Sequence, residues 1–349
     1  MTEILSLLGA GFAESLAPLN IAVILIGVTA GLFVGAMPGL GSVNGVAILL
    51  PMTFIVPPAS AIIFLAALYY GAMYGGAISS ILLGIPGAST AVATTFDGRP
   101  MAQQGEAGLA LIAAATASFV GGTVSVILFT IFAAPLADFA LAFGPAEEFA
   151  LVLLAFTTFV GLGGDDVAKT IVMICLGLVL STVGLDLISG QPRLIFFDMP
   201  GFYSGISFLV LAIGVYGVGE VLATIEETRG KPTVTTATIG VRDLVAGLKA
   251  LRPTLRTMTF GSLLGFFVGM LPAAGATPAA LMSYGMARTS SKTPERFGKG
   301  AIEGVVAPET ANNAASTGSL LPMLTLGIPG SPTTALLLGG MVMWGLMPG

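Results

Sequence analysis

The residues of this chain whose types and spacing could do chemistry are uncharged. Pro38-Gly39-Leu40-Gly41, followed by Ser42 and Asn44, breaks a stretch that holds no Asp, Glu, Lys or Arg between Glu14 and Asp97. Gly84-Ile85-Pro86-Gly87, followed by Ser89 and Thr90, breaks it again. Gly275 with Thr277, and Gly327-Ile328-Pro329-Gly330-Ser331, repeat the pattern later in the chain. Proline removes a backbone donor and glycine permits sharp turns, so each corner ends one helix and starts another. The N–H groups at a helix start carry partial positive charge and hold anions, while the carbonyls at a helix end suit cations. Asn312, Asn313, Ser316 and Thr317 add small amides and hydroxyls that suit ligand contact as well as close helix packing. The chemistry this permits is reversible binding of a small anion together with a cation.

Composition sets the solvent in which that binding occurs. Of 349 residues, 55% are hydrophobic and 9% charged, against roughly a quarter charged in soluble domains; the mean hydropathy is +0.98. This is the composition of a polytopic membrane protein. Unpaired backbone groups are tolerated at membrane depth only where they are buried in protein or line a cavity, so the corners belong to a shared site. There is no histidine, and Cys175 is the only cysteine; nucleophile pairs with histidine, His-bearing zinc sites and intrachain disulfides are excluded. Gly230-Lys231-Pro232-Thr233 lacks the upstream glycine of a phosphate loop. Gly161-Leu162-Gly163-Gly164-Asp165 misses the Gly-x-Gly-Asp of intramembrane aspartyl proteases by one glycine. No catalytic residue, cofactor or resident metal is expected, and neither is a nucleic-acid partner. The first basic residue is Arg99, so a cleaved leader is not expected.

Apolar runs predict spans at Ile21–Met37, Asn44–Ile55, Ser60–Leu83, Leu109–Leu136, Phe149–Leu162, Thr170–Ile188 and Phe202–Leu222, then Met258–Leu271, Thr277–Met286 and Gly300–Leu326. Lys and Arg concentrate in Arg229–Arg256 and Arg288–Lys299, which places both stretches in the cytoplasm. Walking back one crossing per span puts Asp97–Glu106 inside as well. Asp97, Asp165 and Asp166 then read as turn or cap residues at that edge. The segments flanking Pro272 are short and lie between two cytoplasmic stretches, which favours a re-entrant hairpin.

The chain also repeats itself. Gly31-Leu-Phe-Val-Gly35 through Pro38 and Gly41 recurs as Gly265-Phe-Phe-Val-Gly269 through Pro272 and Gly275, an offset of 234 residues. Leu83-Gly-Ile-Pro-Gly87 through Thr90 recurs as Leu326-Gly-Ile-Pro-Gly330 through Thr333, an offset of 243. An odd number of segments before the first basic stretch makes this an inverted repeat, as in secondary transporters with broken helices. The expected organisation is a first membrane repeat over 1–228, a basic cytoplasmic connector over 229–257, and an incomplete second repeat over 258–349. Completing the second copy would take roughly 120 to 160 further residues.

Several longer motifs resemble one family. Pro38–Gly41 through Leu49-Leu-Pro51, Tyr70-Gly-Ala-Met-Tyr-Gly-Gly76, Ile81–Gly87, Asp97-Gly-Arg-Pro-Met-Ala102, Phe297–Gly304, Ala307-Pro-Glu-Thr-Ala-Asn-Asn313 and Thr325–Gly330 are similar to the large membrane subunit of tripartite tricarboxylate transporters, the TctA family. Gly84, Ala88 and Ala273 stand where the family usually has Asn, often Glu, and Gly. The resemblance implies a multi-pass permease of the bacterial inner membrane that works with a small membrane subunit (TctB-like) and a periplasmic solute-binding protein (TctC-like). It implies uptake of a small carboxylate driven by a Na⁺ or H⁺ gradient. A multivalent anion crossing with no Lys or Arg inside a span needs co-bound cations, which also points to symport. A passive channel or facilitator for small anions is the alternative reading.

Overall fold

Proline and glycine set most helix boundaries. The computed structural model describes residues 2–141, 146–147, 149–150, 153, 167–185, 191–195, 199–206, 210–211, 213–218, 222, 241–272 and 274–348. Helices α1 (Thr2–Ser15) and α2 (Pro18–Ala36) come first, with Pro18 in the opening turn of α2, where its missing donor costs nothing. The corner at Met37–Leu40 leads into α3 (Gly41–Leu49), a tighter turn over Leu50–Ile55, and α4 (Pro58–Leu82). A second corner and a short 3-10 turn, Ser89–Ala91, lead into α5 (Val92–Gln103) and the long α6 (Ala107–Leu141). Helix α7 (Val167–Ser181) is followed by a two-residue antiparallel strand pair, Gly184–Leu185 with Pro192–Arg193, the one departure from an all-α chain among the described residues. Then come α8 (Val241–Ala250), α9 (Leu255–Met270), α10 (Ala276–Ser290), α11 (Glu303–Leu326) and α12 (Pro332–Met343). Pro18–Ala36, Pro58–Leu82 and Ala107–Asp138 are long and apolar enough to cross a membrane.

Helix α11 is the centre of the molecule. Every residue from Gly304 to Ser319 is buried, yet the helix is built from Ala, Thr, Asn and Ser rather than Leu and Ile. Small side chains let neighbouring backbones come close. A Cβ on Gly121 of α6 would overlap the Thr310 carbonyl, and Cβ atoms on Gly265 and Gly269 of α9 would overlap those of Ala311 and Ala315. Outer helices show the opposite pattern. Leu25, Ile26 and Phe33 of α2, and Val172 and Leu176 of α7, are exposed, as apolar surface facing lipid would be.

The sequence repeat is also a packing repeat. Gly31 and Gly35 of α2 meet the carbonyls of Leu68 and Ala72 on α4; Gly265 and Gly269 of α9 meet those of Ala311 and Ala315 on α11. These are the same contacts at offsets of 234 and 243 residues. Gly75 against Leu32 likewise matches Gly318 against Phe266, and Gly87 against Gly35 matches Gly330 against Gly269. The series α2-α3-α4-corner-α5 and α9-α10-α11-corner-α12 are two copies of one packing unit.

Two sequence expectations need correction. The stretch Asp97–Glu106 was expected to be an edge loop; its first part is the second half of α5, and Asp97 is fully buried. Helix α1 was not anticipated, because Glu3 and Glu14 at its ends hide it from an apolar-run reading. The predicted span Phe149–Leu162 lies largely outside the described residues, as do Asp165 and Asp166; Phe202–Leu222 lies partly outside them, and its described part holds a short π-helix over Ile213–Val218.

Candidate functional site

All four corners reach one cavity of about 840 Å³. Its wall takes Gly39–Asn44 from the first corner, Ala88–Thr90 from the second, Ala274–Pro278 from the third and Ser331–Thr333 from the fourth, with Tyr69 and Met73 of α4 behind them. Among the described residues, no charged side chain lines it. Each corner supplies the start of a helix: α3 at Gly41, the 3-10 turn at Ser89 that continues into α5, α10 at Ala276 and α12 at Pro332. Unsatisfied N–H groups at a helix start carry partial positive charge, which favours an anion there.

Local chemistry fixes these helix starts. Gly41 (φ +60°) and Gly275 (φ +66°) occupy equivalent places in the two copies, in a left-handed conformation that other residues adopt at a cost. The caps before α3 and α10, Leu40 and Gly275, make no side-chain hydrogen bond to the first turn, and neither does Ala88 before the 3-10 turn. Only the fourth start is closed: Ser331 and Thr334 form a reciprocal capping box.

Hydroxyls bind the two copies together at the wall. Ser42 and Thr333 are 3.0 Å apart, and Ser89 and Thr277 are 2.9 Å apart. The Tyr69 hydroxyl lies 3.4 Å from that of Ser331. Asn44 donates to the Gly39 carbonyl at 3.3 Å, holding the first corner against its own helix.

Of the residues singled out from sequence, Gly39, Gly41, Ser42, Asn44, Ser89, Thr90, Gly275, Thr277 and Ser331 line the cavity. Pro38, Gly84, Pro86, Gly87, Gly327, Pro329 and Gly330 do not. They shape the corners instead. A Cβ on Gly87 would overlap the Gly35 carbonyl, and Gly330 accepts from the Gly275 N–H at 3.0 Å. Arg99 donates to the Leu82 carbonyl at 2.5 Å, a cation at the C-terminal end of α4.

Asn312, Asn313 and Ser316 are a correction of place. They were grouped with the corners, but they lie in the middle of α11, away from the cavity wall, around a residue not singled out from sequence: Glu309. The Glu309 carboxylate is fully buried. It accepts from Thr94 of α5 and, at 3.3 Å, from Ser118 of α6. Asn313 Nδ2 donates to Ser118 Oγ at 2.8 Å, to the Glu309 carbonyl at 3.0 Å and to Asn312 Oδ1 at 2.5 Å. Asn312 Nδ2 is buried without a hydrogen-bond partner. The missed signal is a spacing: 309, 312, 313 and 316 fall on one helical face, and the only charge there has no cation nearby in sequence.

Asp97 is the second buried carboxylate. Its Oδ1 accepts from the backbone N–H groups of Gly298 (2.9 Å), Gly300 (2.8 Å) and Ala301 (2.7 Å), and its Oδ2 accepts from the Tyr284 hydroxyl at 2.9 Å. Gln104 adds a bond to the Lys299 carbonyl at 2.9 Å. Asp97 thereby anchors the loop that leads into α11. No group of three or more metal-ligating side chains occurs among the described residues.

Paired helix units, corners that meet at a common cavity and an apolar exterior define a polytopic membrane protein of the transporter class. Residues 21–349 match the family described as "Tripartite tricarboxylate transporter TctA family". The chain belongs to the TctA family, the membrane subunit of tripartite tricarboxylate transporters, which is a transporter family and not an enzyme family. It is 41% identical over 353 aligned residues to an uncharacterised 52.8 kDa protein in the TAR-I ttuC' 3' region of Agrobacterium vitis, an alignment that takes in 100% of this chain and 69% of that protein. It is 48% identical over 85 residues to an uncharacterised protein in the TAR-II ttuC' 3' region of the same organism, covering 24% of this chain and 35% of the relative. No solved structure matches the chain.

Proposed function

We propose that this chain is the large permease subunit of a binding-protein-dependent tripartite transporter, and that it moves small carboxylates across the bacterial inner membrane by cation-coupled secondary transport. One observation carries the reading: four helix starts face a single cavity whose described lining has hydroxyls and no charged side chain. Such a wall attracts a carboxylate without trapping it, because partial charges bind more weakly than a buried arginine pair would. A tricarboxylate or related acid brings more negative charge than the helix starts balance, so one or more cations travel with it. The substrate site is assigned to Gly39–Asn44, Ser89, Thr90, Gly275, Thr277 and Ser331.

The shared packing unit supports an inverted repeat as the moving architecture. Two copies that enter the membrane from opposite faces give two half-sites that open alternately. A small membrane subunit and a periplasmic solute-binding protein complete the system in this reading.

Uptake of radiolabelled citrate and succinate into proteoliposomes holding the assembled transporter tests it. Accumulation above the outside concentration is expected when a Na⁺ or H⁺ gradient is imposed, and only with the binding protein present. Equilibration without accumulation under either gradient would make the chain a passive facilitator.

A further inference from the structure

Glu309 is an expensive residue to leave where it is. An ionised carboxylate taken out of water costs several kcal/mol unless it is paired or neutralised. No basic side chain among the described residues acts on it. Its surroundings are neutral donors: the Thr94 and Ser118 hydroxyls bonded to it, and Asn312, whose unpartnered buried Nδ2 sits close to the same carboxylate. The side chain is fully buried, and Gly121 and Gly261 bring α6 and α9 close against α11 one residue on, at Thr310.

We propose that Glu309 is the proton-binding site that couples transport to the pH gradient. The proposal rests on the reading above that uptake is cation-coupled, and it names the cation as H⁺. In the ionised state the carboxylate is held by the Thr94 and Ser118 hydroxyls. Binding one proton forms an O–H bond on a carboxylate oxygen and cancels the single negative charge. Release to the opposite side returns the proton to water and restores the anion. The Thr94 and Ser118 hydroxyls that donate to the carboxylate, and the unpartnered Asn312 Nδ2 donor beside it, suit an anion that takes up a proton; a metal ion needs oxygen lone pairs turned inward.

A polar track joins this carboxyl to the cavity. Asn313 bonds to the Glu309 backbone, its own carbonyl meets Thr317 at 3.5 Å, and Thr317 is 2.7 Å from the Tyr70 hydroxyl. Beside it, Ser316 donates to the Asn312 carbonyl at 2.9 Å and Ser319 to the Ser316 carbonyl at 2.8 Å, and Ser319 lies 3.5 Å from the Tyr69 hydroxyl, which reaches Ser331 at the cavity wall. The counterparts of Glu309, Asn312 and Asn313 in the first copy are Ala66, Tyr69 and Tyr70, so that copy carries no matching carboxylate.

Few other titratable groups face Glu309. Tyr74 approaches from α4 and has its hydroxyl 3.5 Å from the Leu111 carbonyl. Asp97, one turn beyond Thr94 on α5, is occupied by three N–H groups and by Tyr284 of α10. Helix α6 carries no titratable residue before Asp138, and the only one on α9 is Arg256 at its start, against the Phe260 ring.

Proteoliposomes of the assembled transporter, wild type and Glu309→Gln, separate the outcomes with radiolabelled citrate and succinate. A pH gradient of one unit, with no Na⁺ gradient, should raise wild-type accumulation about tenfold per coupled proton. Glu309→Gln should lose that accumulation at least tenfold, yet still exchange labelled for preloaded unlabelled substrate; Glu309→Asp should keep pH-driven uptake. Thr94→Val removes a donor to the ionised carboxylate and should move the pH profile of uptake toward alkaline pH. Wild-type behaviour of Glu309→Gln under the pH gradient, or a wild-type protein driven by Na⁺ and indifferent to pH, would overturn the proton site and leave cation coupling standing. A wild type that neither gradient drives would instead reject the underlying reading. Where Glu309→Gln fails to assemble, infrared difference spectra across a pH titration decide: a protonated-carboxyl band in wild type that Thr94→Val shifts supports the site, and a band that Thr94→Val leaves in place overturns it.

Discussion

The Ser42 hydroxyl of the first repeat stands 3.0 Å from the Thr333 hydroxyl of the second, at the wall of the cavity that all four corners share. Both are near the start of a helix, α3 and α12. A bond of this kind contributes about 1 kcal/mol and sets the spacing of two anion-binding ends.

Removing either hydroxyl should therefore weaken substrate binding more than it weakens the fold. Ser42→Ala and Thr333→Val are each expected to raise the apparent KM for citrate or succinate by roughly 3- to 10-fold, about 1 kcal/mol. The double variant should cost little more than either single one, because the two act through one contact. Fully additive losses in initial uptake rates would show that they act separately.

The repeated packing contact makes a paired prediction. Gly35 and Gly269 each leave no room for a Cβ against a carbonyl, of Ala72 and of Ala315. Gly35→Ala and Gly269→Ala should each destabilise the protein by about 1–3 kcal/mol, the usual cost of overpacking. Thermal unfolding in detergent checks this, and Gly122→Ala, where a Cβ meets nothing, is the control.

Asp97 offers a test of the loop that leads into α11. Hydrogen bonds to a charged acceptor are each worth about 1.5–3 kcal/mol, and three backbone N–H groups share its Oδ1. Asp97→Asn should lower thermal stability measurably, and Asp97→Ala should lower it further by leaving those donors buried and unsatisfied. Unchanged melting of Asp97→Ala would show that the loop is held by other contacts.

Much of this arrangement was legible in the sequence, for physical reasons. Proline and glycine act locally, so the corners at Pro38, Pro86, Gly275 and Pro329 could be read without knowing what surrounds them. The starts of α2, α4, α6 and α9 fall within three residues of the apolar-run boundaries. Close approach is also written locally: a glycine every fourth residue, as at Gly31 and Gly35, marks a helix face that meets another backbone. What the sequence hid were elements whose stability is tertiary. Helix α5 looks like a polar loop because Thr94, Asp97 and Arg99 are satisfied by partners far along the chain: Glu309, the 298–301 loop and the end of α4. Asn312 and Asn313 resembled corner residues by type, and only the packing of α5 and α6 on α11 groups them with Glu309.

The central claim is that helix starts, and not charged side chains, receive the carboxylate. A cryo-electron-microscopy map of the assembled transporter loaded with citrate tests it most directly. Density is expected among Gly41, Ser42, Ser89, Gly275 and Thr277, within hydrogen-bond distance of backbone N–H groups. Density seated instead in the basic cavity that Arg256 and Lys292 line between α9 and the end of α10 would contradict it.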